Sequence, residues 1–459
     1  MSELAKQLTA IAEELDVPGV AAGIYSGGEE EYAFHGVTSV ENPLPVDEHT
    51  IFQYGSTHKT FTATAIMRLV DEGKVDLNAP VRTYIPELKT KDPAVAERVT
   101  VLQLLNHTAG WSGDAPEDCG DGDDARAIFV EKLAEFEQVT PLGSTVSYNN
   151  AALNVAGRVI EKVTGQVYEA AMTELIHKPL GLENSFFFPN EVMTRRFVVG
   201  HSRSDEGEIK VARPWALARA GAPAGGFGVS ANVGDQIKWA RFHLGDGSPI
   251  LKKETLDLMK QPTFDMRGSA LGDAVGISWL LREVGGLQEV GHGGTTIGQY
   301  SQFFMIPDKD FALVSMTNCG PNGSQLNRRL AAWALEAFFR VTEPEDEPIQ
   351  LGDAALADYV GTYETVAAFA DVTASDGALV LNVRIKPETL QRLRDDGEEV
   401  PEQPPIPIAM LAGDGDRYVV SGGPAKGMKG YFMRDETGAV TGVHVGGRLA
   451  VRTKESVKA

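Results

Sequence analysis

The sequence predicts a mixed α/β body followed by a small all-β domain, and three observations carry that prediction. Residues 19–26 and 31–38 read as two strands joined at Gly27-Gly28, directly after an amphipathic N-terminal helix. Residues 275–317 hold three alternating apolar runs, around Ile277–Leu281, Gln302–Ile306 and Ala312–Thr317, with helices expected at 232–244 before them and 324–340 after them. Beyond Asp358, short β-type runs spaced by turn residues dominate, which suggests an antiparallel barrel or sandwich of about 100 residues. At 459 residues the chain exceeds one ordinary core, so two or three domains are expected.

The remaining elements follow in order. Residues 57–72 have almost no helix breakers and Gly73 stands where a helix-ending glycine belongs. Residues 100–107 predict a short helix, and 126–137 a longer one. Residues 151–164 carry an apolar stripe with Gly165 as the stop, the pattern of a buried helix. The segment 114–124 is a loop with six acids and no base. It reads as a solvated surface loop, or as the rim of a pocket for a cationic substrate group. The glycine-rich stretch 221–230 lacks a following G-K-[ST], so a tight structural loop is expected there rather than a phosphate cradle. Residues 342–350, acidic and proline-bearing, read as a linker.

Composition narrows the function classes. A formal net charge of −22 argues against nucleic acid and anionic membrane as partners, since both require basic patches. No run approaches the roughly 20 apolar residues of a membrane span. The N-terminus lacks the basic, apolar and small-residue regions of a signal peptide, so a cytoplasmic protein is expected. Two cysteines, Cys119 and Cys319, give neither a disulfide framework nor a metal spacing. No H-E-x-x-H, EF-hand or G-x-S-x-G pattern occurs, and no metal or organic cofactor is expected.

The chemistry-bearing stretch is Tyr54-Gly55-Ser56-Thr57-His58-Lys59. Ser56 sits where an extended segment becomes a long helix, and Lys59 lies one turn on, on the same face. Such a position offers backbone N–H groups and a positive dipole end to a developing oxyanion. A lysine held against the apolar helix face can lose enough hydration to act as a base near neutral pH. Alone the tetrad is common, and a helix cap followed by a solvated lysine is its plainer reading.

Two further fragments change the balance: Tyr148-x-Asn150 and His292-Gly293-Gly294. With Ser56-x-x-Lys59 they stand in the order found in class C β-lactamases and penicillin-binding-protein-like serine hydrolases, which the chain resembles over residues 1 to about 340. That group includes D,D-peptidases, D-aminopeptidases and some esterases. Leu105-Asn106-His107-Thr108-Ala109-Gly110, Pro223-Ala224-Gly225-Gly226 and Asp76-Leu77-Asn78-Ala79-Pro80-Val81 extend the resemblance.

The resemblance implies a β-lactamase-like α/β (α+β) domain over 1–341, with a central antiparallel sheet flanked by helices and an all-helical subdomain. It also implies a lipocalin-like antiparallel β-barrel over 351–459. Ser56 is expected to form an acyl-enzyme, with Lys59 and Tyr148 sharing the proton traffic. Asn150 is expected to hold Lys59 and a substrate amide. Backbone N–H groups of Ser56 and Thr295 are expected to form the oxyanion hole, and Gly293 and Gly294 to admit the substrate to the strand edge. Where β-lactamases usually carry Lys-Thr-Gly, this chain has His292-Gly293-Gly294, a version closer to D,D-peptidases and D-aminopeptidases.

The expected function is cleavage of a small amide or peptide, with a carboxylesterase as the near rival. A β-lactamase, a transacylase or a binding protein that stalls as the acyl-enzyme are further alternatives, and a homo-oligomer is possible.

Overall fold

Strand Gly19–Ser26 pairs on one side with Glu29–Gly36 and on the other with Phe311–Thr317, so both ends of the α/β body share one sheet. The computed structural model describes residues 1–453 apart from 115–117, 205–206, 345, 376, 396–403, 414 and 424. Across the sheet the strands run 29–36, 19–26, 311–317, 300–306, 287–291, 280–284, 272–275 and 264–269, each antiparallel to its neighbour. A short ninth piece, Gly294–Thr295, pairs with Ser301 and Tyr300 at the edge of the site.

Successive side chains of a strand point to opposite faces, and both faces are covered here. Val20, Ala22, Phe304, Ile306 and Leu313 pack beneath helices Glu3–Glu14 and Asn322–Phe339. Ala21, Phe303, Met305 and Met316 face the other way. They share a core with helix His58–Asp71 and with Ile237 and Trp239 of helix Val233–Leu244. Two-sided burial explains why Phe311–Thr317 is buried at every position and reads as a continuous apolar run. The helical layer over this second face includes Val101–Leu105, Ala125–Lys132, Asn150–Thr164 and Tyr168–Met172.

Several boundaries differ from the sequence reading. The helix expected over 126–137 is α-helical only at Ala125–Lys132 and tightens into a 3-10 turn at Leu133–Glu135. The apolar run at Ile277–Leu281 becomes a strand only from Leu280, because residues 276–279 close a turn through the Gly276 N–H to Trp279 carbonyl bond. Strands Phe264–Ser269, Gly272–Val275 and Leu287–Gly291 carry too many polar and glycine residues to show a clean alternation.

The C-terminal region is a closed eight-stranded antiparallel barrel between Gly361 and Arg452. Its interior is filled by side chains that include Tyr363, Val372, Leu381, Ile408, Tyr418, Phe432 and Val443. Among the described residues no helix is long and apolar enough to cross a membrane.

Candidate active site

Ser56 lies in a 3-10 turn, Gly55–Thr57, that runs directly into helix His58–Asp71. The turn is held against the sheet edge by a ladder of side chains. Thr57 Oγ1 donates to the His292 carbonyl at 2.9 Å, and Ser301 Oγ donates to the Tyr54 carbonyl at 2.8 Å. Two glycines make this packing possible. A Cβ on Gly294 would stand 1.9 Å from the Tyr54 carbonyl oxygen and 2.9 Å from the Ser56 nitrogen. Gly225 has φ +95, and a Cβ there would stand 2.0 Å from the Gly55 carbonyl oxygen. The backbones of Gly55-Ser56 and Gly294-Thr295 therefore run in direct contact.

Lys59 is fully buried and donates two hydrogen bonds, to Ser56 Oγ at 2.9 Å and to the Ala224 carbonyl at 2.6 Å. Its ammonium also lies 4.8 Å from the centre of the Tyr148 ring. Burial first, then the nearby Arg448 charge, pulls its pKa well below that of a free lysine, with Asp114 opposing. Tyr148 is buried, and burial pushes its phenol well above the usual value, although a hydrogen bond with the Ser56 hydroxyl and the Arg448 charge oppose the shift. The amine is thus the group that loses its proton readily, and the phenol is the one that keeps it.

Asn149, rather than Asn150, caps helix Asn150–Thr164: its Oδ1 accepts from the Ala152 N–H at 2.8 Å. The cap turns Tyr148 toward Ser56. Asn150 Nδ2 donates to Asp114 Oδ1 at 2.7 Å, while the two hydrogen bonds of Lys59 go to Ser56 and Ala224.

His292 is buried with Nδ1 2.6 Å from the Gly293 carbonyl. A carbonyl only accepts, so Nδ1 carries the proton. Burial and the Lys59 charge lower the imidazole pKa to about 3, so the ring is neutral and its bare Nε2 is an acceptor without a partner among the described residues.

Ser56, Tyr148, Asn150 and His292 line a cavity of about 800 Å³ that also takes in Thr295, Gly293, Gly294 and, from the barrel, Arg448. The barrel completes the site. The Tyr148 N–H donates to the Gly447 carbonyl at 2.9 Å, the Leu449 N–H to Ser147 Oγ at 3.2 Å, and His444 Nε2 lies 3.0 Å from the Val146 carbonyl. Arg448 pairs with Asp114 and lies over the Tyr148 ring. Such contacts join residues 298 to 334 positions apart, which leaves no local signal in the sequence. His107 was legible only as part of a fragment. Its Nδ1 accepts from the Asn149 N–H at 3.1 Å and its ring lies 4.5 Å from that of Tyr148, so it braces the same turn.

The acidic loop is divided between the site and the helical side. Residues 115–117 lie outside the described residues. Asp114 accepts from Asn150 and pairs with Arg448, two residues of the cavity lining, whereas Asp123 pairs with Arg219 on the helical side.

The family model for β-lactamases matches residues 4–338. The chain belongs to the β-lactamase family of serine hydrolases. Penicillin-binding protein 4 of Amycolatopsis lactamdurans is 31% identical over 374 residues, covering 78% of this chain and 96% of that protein. Among solved structures, SurE superposes with a TM-score of 0.77 at 24% identity over 98% of both chains, and a structure of SurE with D-Leu gives 0.76. A D-amino acid amidase from Ochrobactrum anthropi SV3, complexed with D-phenylalanine, gives 0.61 at 23% identity, over 73% of this chain and all of that one. These structural likenesses show the fold. SurE shares it over nearly the whole chain, barrel region included.

Proposed function

We propose that this β-lactamase-family chain hydrolyses a small amide or peptide with a D-configured residue at the scissile bond, through an acyl-enzyme on Ser56. The observation that carries the reading is the buried, deprotonation-prone Lys59 amine 2.9 Å from Ser56 Oγ. Lys59 takes the Ser56 proton as Oγ attacks the carbonyl carbon, and the oxygen's charge develops against the Ser56 and Thr295 N–H groups. As the tetrahedral intermediate collapses, Tyr148 gives its phenol proton to the departing nitrogen and is reprotonated by the Lys59 ammonium. Water then attacks the ester, its proton passes to Lys59, and Lys59 returns it to Ser56 Oγ as the C–Oγ bond breaks and the acid leaves.

Two features support an amide over an ester. An amine leaving group needs a proton, and the buried neutral Tyr148 phenol is suited to supply one. The bare His292 Nε2 accepts a hydrogen bond from an N–H of the substrate. The D-configuration rests on the ligands named for SurE and for the amidase. A carboxylesterase on the same residues is the second reading, because ester cleavage uses every step except leaving-group protonation.

Intact-mass spectrometry and product analysis with a D-amino-acid amide, its L-enantiomer, p-nitrophenyl butyrate and a penicillin test the reading. Turnover of the D-amide by wild type and not by Ser56→Ala is the expected result. Turnover of the butyrate ester alone would favour the esterase, and turnover of the penicillin alone would point to a β-lactamase. An adduct that never releases would mark a stalled acyl-enzyme.

A further inference from the structure

Behind Lys59 lies a buried chain of hydrogen bonds that the proposed reaction does not use. Tyr54 Oη is 2.9 Å from His58 Nδ1, and His58 Nε2 is 2.9 Å from Tyr168 Oη. Tyr168 Oη is 2.6 Å from Thr62 Oγ1, and Thr62 Oγ1 is 2.7 Å from the Pro223 carbonyl. Tyr54, His58, Thr62 and Tyr168 are all essentially excluded from solvent.

The direction of every link follows from one end. The Pro223 carbonyl only accepts, so the single Thr62 hydroxyl proton points to it. Thr62 Oγ1 must then accept from Tyr168, which leaves the Tyr168 oxygen to accept from His58 Nε2–H. His58 is neutral, its pKa held well below the usual value by burial first and then by the His177 and Lys59 charges, so Nδ1 is bare and accepts from Tyr54. No alternative arrangement satisfies all four links.

The chain ends next to the catalytic amine. Thr62 and Lys59 stand three residues apart on one helix and hold consecutive carbonyls, Pro223 and Ala224. The far end of the same segment is anchored by Arg219, which is paired with Glu169 and, through it, with Arg126.

We infer that Thr62 is a positioning residue: with the directed Tyr54–His58–Tyr168 chain behind it, it fixes residues 223–224 so that the Ala224 carbonyl aims the Lys59 lone pair at Ser56. The inference deepens the proposed function and rests on Lys59 as the base. The charged and titratable groups facing Lys59 are Arg448, Asp114, Tyr148, His58, His107 and His292, and changing Thr62 replaces none of them.

The test is the pH dependence of Ser56 phosphonylation by a fluorophosphonate in wild type, Thr62→Val, Thr62→Ser and Tyr168→Phe, each with its thermal midpoint. In Thr62→Val the carbonyl drifts and the ammonium loses its strongest acceptor. The rate is expected to fall about tenfold, and the acidic limb of the profile to move to lower pH. Thr62→Ser is expected to restore both within about twofold, and Tyr168→Phe to lie between. A lowered midpoint with rate and limb as in wild type would overturn the inference alone, as would a serine variant that restores neither. A wild type that takes no label at any pH would overturn the Ser56 reading, and this inference with it.

Discussion

The guanidinium of Arg448 lies 5.0 Å from the centre of the Tyr148 ring, so a residue of the barrel stands against the proposed proton donor of the α/β body. Asp114 neutralises part of that charge, and Asn150 ties Asp114 back to the start of its helix. The barrel is therefore an electrostatic part of the site as well as a wall of the cavity.

The sign of this effect can be measured. Arg448 depresses the Lys59 pKa and Asp114 raises it. Arg448→Ala lets the ammonium persist to higher pH, so the acidic limb of kcat/KM should move alkaline, and activity at neutral pH should fall about tenfold. Asp114→Asn should move the limb the opposite way. Limbs that stay in place in both variants would remove Arg448 and Asp114 from the electrostatics of the base.

His292 offers a second, spectroscopic check. With a pKa of about 3 it should not titrate between about pH 5 and 9, where an ordinary histidine does. Histidine-selective NMR should show one ring, lost in His292→Ala, whose shifts stay flat over that range. A midpoint near the ordinary value of about 6.5 would mean that the ring is solvated and the site open. His292→Ala should raise KM more than it lowers kcat, because an acceptor to a bound N–H acts on ground state and transition state alike.

The local parts of the site were legible in sequence. Ser56, Lys59, Tyr148 and His292 each sit in a fragment whose neighbours also set its backbone: the Gly55 turn, the Asn149 cap and the Gly293-Gly294 edge. What lay hidden was carried by backbone carbonyls and by distant charges. The acceptor of Lys59 is the Ala224 carbonyl, which any residue type could supply. Arg448 and Asp114 meet only because the barrel docks on residues 146–149. In the barrel itself, strand Ile406–Met410 is obscured by the prolines in and before it, and Ala368–Ser375 by a weak alternation.

Close backbone packing behind Ser56 gives a third prediction. Gly225→Ala places a methyl 2.0 Å from the Gly55 carbonyl at a φ of +95, where L side chains are strained. Both backbone segments must shift. The cost should be about 1–3 kcal/mol in stability, and kcat should fall by at least about tenfold as Ser56 moves off Lys59. Assays at saturating substrate, paired with denaturant titration, separate the two effects. Wild-type kcat in this variant would show that the Gly55–Ser56 turn tolerates displacement.

The ion cluster that anchors Arg219 supplies the last. Glu169, with a side chain 3% exposed, accepts from both Arg126 and Arg219. Burial alone would raise its pKa, but the Arg219 hydrogen bond and the Arg126 charge outweigh it, and the net shift is downward from 4.5. A carboxylate with a depressed folded pKa contributes stability that is present above its unfolded value and lost as pH falls through the folded one. Glu169→Gln leaves two buried guanidiniums short of charge and should cost about 3–5 kcal/mol at neutral pH. As pH falls through the depressed folded value, below the ordinary 4.5, the wild-type carboxyl takes up a proton and comes to resemble glutamine, so the stability gap should narrow. Urea titrations of both proteins at neutral and acidic pH read this directly. A gap that is equally wide at both would place the cost in packing and not in charge.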